Sequence, residues 1–150
     1  MHKLRLVDES GMIEGLDESA HEQLPEMIRQ VNDQMADFYA GAGFQPPWIG
    51  YVTEHEGHFV GGGAFKSVPD QGRVEIAYYT LADMENQGHA TATAQALIDL
   101  AIQHDEELSI VAQTLPETNA SNYLLQKLGF QFHDVIDHPE DGPVWEWRLF

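Results

Sequence analysis

The chain has 150 residues, 43% of them hydrophobic, which bounds it to one compact domain (1–150) with its own core and no linker. Seven Lys and Arg stand against 25 Asp and Glu, a formal charge of −18, so the long-range field opposes nucleic acid and anionic membrane surfaces and favours cationic small molecules or basic peptides. With no cysteine, disulfides, a cysteine nucleophile and thiolate metal sites are excluded.

Residues 3–8 alternate like a short first strand, and Asp17 opens an acidic helix start of the capped type. Leu24, Ile28, Val31, Met35 and Phe38 recur at helical spacing, with Pro25 dividing the region into a short helix and a longer one that ends at GAGFQPP. Residues 48–54 and 59–66 read as strands joined by the HEGH turn, and Pro69-Asp70-Gln71-Gly72 is a second turn. RVEIAYYTL, residues 73–81, is a strand by its β-branched and aromatic content. ENQGHATATAQAL then sets one glycine at the mouth of a run of small residues, where Ala90, Ala94, Leu97, Ile98 and Ala101 mark a helical face. A strand over 108–114 follows, then a helix over 119–128 with Ala120, Leu124, Leu125 and Leu128 inward and Gly129 as a left-handed terminator. Residues 131–136 and 144–149 close the chain as an antiparallel pair across HPEDGP. This order predicts an α/β protein with a mixed sheet and helices on both faces.

The acids are scattered, which reads as a solvated acidic shell and suits an adaptation to high salt. No apolar segment approaches the roughly 18 residues of a membrane span, and MHKLRLVDESG lacks the apolar centre of a secretion signal, so a cytoplasmic location is expected. His55 and His58 flank a turn without a carboxylate–histidine pattern of metal-ligand spacing, so no metal site is expected.

A strand, a tight turn and a helix present free backbone N–H groups to an anion, because the first amides of a helix have no partner inside it. Gly88 alone is weak support, since neither GxGxxG nor a P-loop is present, and small side chains serve tight helix–sheet packing equally well.

Taken in order, Glu85-Asn86-Gln87-Gly88-His89-Ala90, the preceding VEIAYY, the following Ala90-Thr91, the helix NASNYLLQKLGF and the closing EDGPVW resemble the motifs of the GNAT superfamily of N-acetyltransferases. The similarity runs over residues 48–150 and is narrower toward the ribosomal-protein-alanine N-acetyltransferase-like branch. It implies the GNAT fold, a mostly antiparallel sheet of about seven strands with helices on both faces. It also implies acetyl-CoA as co-substrate, direct acetyl transfer to an amine of a small molecule or protein N-terminus, and a possible homodimer.

The resemblance carries roles onto residues. Asn86, Gln87, Gly88, His89, Ala90 and Thr91 would surround the coenzyme diphosphate, chiefly through backbone amides. Tyr79, Thr80 and Leu81 would pair with the pantetheine arm and orient the acetyl carbonyl, and Asn119 would reach the arm from the facing helix. Glu85 stands where the family has Gln or Arg, and a carboxylate facing a diphosphate repels it. Glu75 is the candidate base, directly or through water, because a protonated amine cannot attack until a proton leaves; a solvent-facing strand carboxylate is the plain alternative. The tyrosine that many members use to protonate the departing thiolate is Leu125 here, which leaves Ser121 as the favoured donor to sulfur, ahead of Tyr123. A first-turn cap explains Ser121 equally well. Phe38, Tyr39, Phe44 and Trp48 fall in the region that contributes to the acceptor cleft; core packing explains some of them equally well, Phe44 in the GAGFQPP loop least. The competing reading is a non-catalytic acyl-CoA-binding or sensor domain, and a plain interaction domain with an acidic face is a third.

Overall fold

The computed structural model describes residues 2–85, 87–114, 116, 120–140 and 142–149, with the backbone alone at Ala120 and Ser121. In chain order the elements are β1 (His2–Leu6), α1 (Glu18–Glu22), α2 (Glu26–Ala42), β2 (Gly50–His55), β3 (His58–Phe65), β4 (Arg73–Thr80), α3 (His89–His104), β5 (Ser109–Thr114), α4 (Ala120–Lys127), β6 (Gln131–His138) and β7 (Gly142–Leu149). One short 3-10 turn, Ala82–Met84, links β4 to the loop before α3.

Local chemistry sets the boundaries. The Asp17 carboxylate accepts from Ala20 N at 2.8 Å and caps α1. Pro25, lacking an N–H, stands at the N-cap of α2 and separates the two helices as its position predicts. Gly129, at φ 98°, follows α4 in the left-handed conformation expected of it.

The seven strands form one sheet in the order β1-β2-β3-β4-β5-β7-β6. Every neighbouring pair is antiparallel except β4 and β5. On one face α3 lays Ala94, Leu97, Ile98 and Ala101 over Val74, Ile76, Ile110 and Ala112, and Leu125 of α4 completes that core. On the other face Leu24 and Ile28 pack with Val7, Ile13, Val52 and Leu81. Burying each such side chain contributes roughly 1.5–3 kcal/mol, so the two cores hold both helical layers to the sheet.

The run Gly61-Gly62-Gly63 in β3 is what lets these layers approach. A Cβ on Gly63 would lie 2.7 Å from Leu97 Cδ1, and one on Gly62 would lie 3.0 Å from the Tyr79 hydroxyl. Among the described residues no helix is long and apolar enough to cross a membrane.

Candidate active site

The parallel pair β4/β5 opens the molecule. Register runs from Arg73↔Ser109 to Ile76↔Ala112 and goes no further, although β4 stays paired to β3 as far as Thr80 and β5 to β7 as far as Thr114. The strands therefore diverge beyond Ile76 and Ala112, as the two limbs of a V. Beyond this opening lies a cavity of about 550 Å3, the size of a small-molecule site. Its walls are Tyr78, Tyr79 and Thr80 at the end of β4, the loop and first turn of α3 from Gly88 to Thr91, and Tyr123, Leu124 and Lys127 of α4.

The first turn of α3 is built to offer amides. Gly88 is its N-cap at φ 83° and ψ 4°, a left-handed conformation that favours glycine, and no atom lies within 4 Å of where a Cβ would point. Conformation, not crowding, demands glycine at this position. Among the described residues no side chain caps the helix, and the first intrahelical bond runs from Ala92 N to Gly88 O at 3.1 Å. The amides of His89, Ala90 and Thr91 precede it and point from the positive end of a 16-residue helix.

The end of β4 forms the opposite wall, released from β5 beyond Ile76. The Tyr79 and Thr80 hydroxyl oxygens are buried, with no hydrogen-bond partner among the described residues; burial pushes the Tyr79 phenol above its ordinary range and keeps it neutral, and that hydroxyl lies toward Gly62, on the face away from α3. Free amides on one wall and a strand end without its parallel neighbour on the other fit a coenzyme with a diphosphate and an amide-bearing arm.

The residues expected from sequence distribute unevenly. Tyr79, Thr80, Gly88, His89, Ala90 and Thr91 line the cavity, and Glu85 lies exposed on its rim. Gln87 is exposed and does not line it. Leu81 is turned away: its side chain is buried in the second core, its N–H bonds Val60 O at 2.9 Å, and its carbonyl accepts from Met84 N. Asn86, Asn119 and the Ser121 side chain lie outside the described residues. Leu125 is fully buried, and Tyr123 is exposed on the cavity wall.

Glu75 sits one residue before the strands part, half-buried, with its carboxylate Oε2 2.7 Å from Lys66 Nζ on the neighbouring strand. Alternation along β4 puts Glu75, Ala77 and Tyr79 on the α2 face and Val74 and Ile76 on the α3 face. Glu75 thus approaches the V from the side opposite α3. An apolar groove of about 290 Å3 on the α2 face runs past Met35, Phe38, Tyr39 and Ala64 to Lys66.

Of the four aromatics expected at an acceptor cleft, only Phe38 and Tyr39 line this groove. Phe44 packs edge-on against Tyr39, and Trp48 against Phe65 and His104, because residues 43–49 fold back on the core. Sequence reading missed Lys66 and the Gly62 contact with Tyr79, and also missed a cluster of His2, His55 and His89 behind the cavity. Among the described residues no group of His, Asp or Glu converges on a metal position.

The model of the Acetyltransferase (GNAT) domain family matches residues 13–131. RimL, a ribosomal L7/L12 alpha-N-protein acetyltransferase, superposes with a TM-score of 0.71 at 15% identity, covering 99% of this chain and 92% of that one. A Salmonella typhimurium acetyl transferase that modifies the N-terminal serine of 50S ribosomal subunit protein L7/L12 does so with a TM-score of 0.69 at 16% identity, over 99% and 94%. Mycobacterium smegmatis RimJ, in complex with CoA-disulfide, gives 0.65 at 18% identity, over 91% and 66%. No curated protein matches at a significant level. With most of its length covered by the family model and the parted β4/β5 pair at its centre, the chain belongs to the GNAT family of acetyltransferases.

Proposed function

We propose that the protein transfers the acetyl group of acetyl-CoA directly to an amine, of a small molecule or a protein N-terminus, in the manner of the ribosomal-protein N-acetyltransferases it resembles in fold. The observation that carries this reading is the first turn of α3, its His89, Ala90 and Thr91 amides free, opening onto the cavity where β4 and β5 part. The coenzyme supplies an acetyl group activated as a thioester. The amides of His89, Ala90 and Thr91 hold its diphosphate, with Asn86, Gln87 and Gly88 shaping the loop. Tyr79 and Thr80 take the arm at the end of β4, and Asn119 meets it from the α4 side. The chain's own part in the chemistry is to place the amine and move its proton.

Glu75 accepts that proton, directly or through a water, from an amine entering on the α2 face. Lys66 Nζ, 2.7 Å from Oε2, fixes the position of the carboxylate. Ser121 is the donor to sulfur, taking the place of the tyrosine that Leu125 replaces. A net charge of −18 and the groove along α2 favour a cationic acceptor with an apolar segment. The reading includes a cytoplasmic location and a homodimer; exposed Phe132 and Val135 on the edge strand β6 support the latter.

The test is thiol release from acetyl-CoA across a panel of amines and N-terminal peptides. Turnover on at least one acceptor supports an enzyme. Binding of coenzyme A without turnover on any of them supports the sensor reading, which Leu125 and Glu85 favour. No binding at all overturns both.

A further inference from the structure

Three imidazoles from three elements meet behind the first turn of α3. His2 Nε2 of β1 lies 2.9 Å from His89 Nδ1, the His2 ring stacks on His55 of β2 at 4.1 Å and 18°, and the His55 and His89 centroids are 5.2 Å apart. His89 is 6% exposed and lines the coenzyme cavity. The cluster therefore runs from the cavity wall to the sheet edge. A hydrogen bond between two ring nitrogens needs a proton on only one of them, so the neutral cluster is self-consistent.

Charge around it is sparse. Glu56, on the β2–β3 turn, lies 3.9 Å from His55 Nε2, and His58 pairs with His55 in register. Glu54 of β2 is matched by Arg5 of β1 at 3.1 Å, and Lys3 pairs with Glu54 in register. The first turn of α3 has no acid, Glu85 is exposed on the rim, and among the described residues Lys127 is the cation on the cavity wall. Burial, then the neighbouring rings of His55 and His89 and the chain's amino terminus, hold the His2 imidazole below its ordinary value, against a small opposing pull from Glu56. Glu85 stands at the head of the loop and residues 85–91 hold no Lys or Arg, so the loop supplies no permanent positive charge.

We propose that the His2, His55 and His89 cluster is the counter-charge for the coenzyme's diphosphate, taking up one proton from solvent when that anion docks on the first turn of α3. This rests on the reading of that turn as the diphosphate site. An anion at the cavity wall favours the protonated cluster, and by reciprocity the protonated cluster favours the anion. Coenzyme affinity rises as pH falls through the imidazole range, and binding is accompanied by proton uptake.

The experiment is calorimetric titration with 3′-dephospho-coenzyme A, whose diphosphate diester keeps the same charge from about pH 5.5 to about pH 8.5. Buffers of different ionisation enthalpy report the protons taken up. A one-unit rise in imidazole pKa on binding corresponds to roughly tenfold tighter binding at the acid end. His2→Gln is expected to flatten the profile and abolish the buffer-dependent heat; His55→Gln makes the same test should the first variant fail to fold. Binding that is flat in pH with no proton uptake overturns the proposal and leaves the diphosphate site standing. No binding at any pH overturns both.

Discussion

Replacing Glu75 with Gln keeps the size of the side chain and removes its ability to accept a proton, and the structure sets what else is lost. Lys66 Nζ is 2.7 Å from Oε2, but the side chains are 45% and 23% exposed. A partly solvated pair of this kind contributes about 0.5 kcal/mol once screening is counted. In a domain of this size that is a fall of about 1–2 °C in melting temperature. Loss of a general base instead lowers turnover by roughly 10²–10⁴-fold. Coenzyme affinity is expected to stay at the wild-type value, since Glu75 does not line the coenzyme cavity. Thiol release with the best amine, a thermal melt and a coenzyme titration on the same preparation read the three effects separately. Turnover within about tenfold of wild type refutes the assignment, because no positioned base contributes so little. A large fall in melting temperature accompanying the loss of turnover refutes it too, since the residue would then be holding β3 to β4.

Other outcomes follow from single features. Gly88→Ala forces a Cβ onto φ 83° at a strain of about 1 kcal/mol, which the free loop relieves by leaving the left-handed cap that binding requires, so coenzyme binding weakens by up to roughly fivefold; unchanged affinity in a titration contradicts the cradle. Ser121→Ala is expected to lower turnover with little change in coenzyme affinity, and unchanged steady-state kinetics remove Ser121 from the mechanism. The ligand-free fold is expected to lose stability as pH drops below about 6.5, the ordinary imidazole value. His2 binds its proton less readily when folded, so the unfolded chain takes up protons first and the neutral form is the stabilising one. Denaturant melts at several pH values check this, and stability that rises toward acid refutes it.

The parts of this molecule legible in its sequence are those fixed by neighbours in the chain. Asp17, Pro25 and Gly129 mark helix ends through their own backbone and side-chain chemistry, and the structure puts each where that chemistry requires. The glycine-headed start of α3 at Gly88 was readable because its neighbours in sequence, β4 and α3, are also its neighbours in space. Contacts across the fold were not readable. His2 and His89 are 87 positions apart and adjacent only because α3 packs back over β1. The glycines of β3 look like a weak strand in sequence and are explained only by Leu97 and Tyr79 pressing from opposite faces. Phe44 looked like a cleft residue because a loop with two prolines reads as exposed, and for Trp48 the sequence left cleft and core both open. Their rings instead bury against Tyr39 and Phe65, where their apolar area is worth more than at a surface.

Glu85 is exposed on the cavity rim, so water screens its carboxylate and its repulsion of a diphosphate at 4 Å is about 1 kcal/mol or less. The larger obstacle is collective, because an anionic coenzyme must approach a surface of formal charge −18. That field reaches about 10 Å at 0.1 M salt and only about 3 Å at 1 M. The attractive elements proposed for the site work at contact range: the first-turn amides of α3, and a histidine cluster whose innermost member is 6% exposed. Added salt therefore removes repulsion faster than attraction, and coenzyme association accelerates by roughly tenfold or more between about 0.05 M and about 1 M KCl. Dissociation changes little over the same range. Stopped-flow measurement of both rates distinguishes this from the ordinary case of a phosphate ligand drawn to a basic surface, where salt slows association; a rate that falls with KCl would show that a local cation patch, and not the acidic shell, governs the approach.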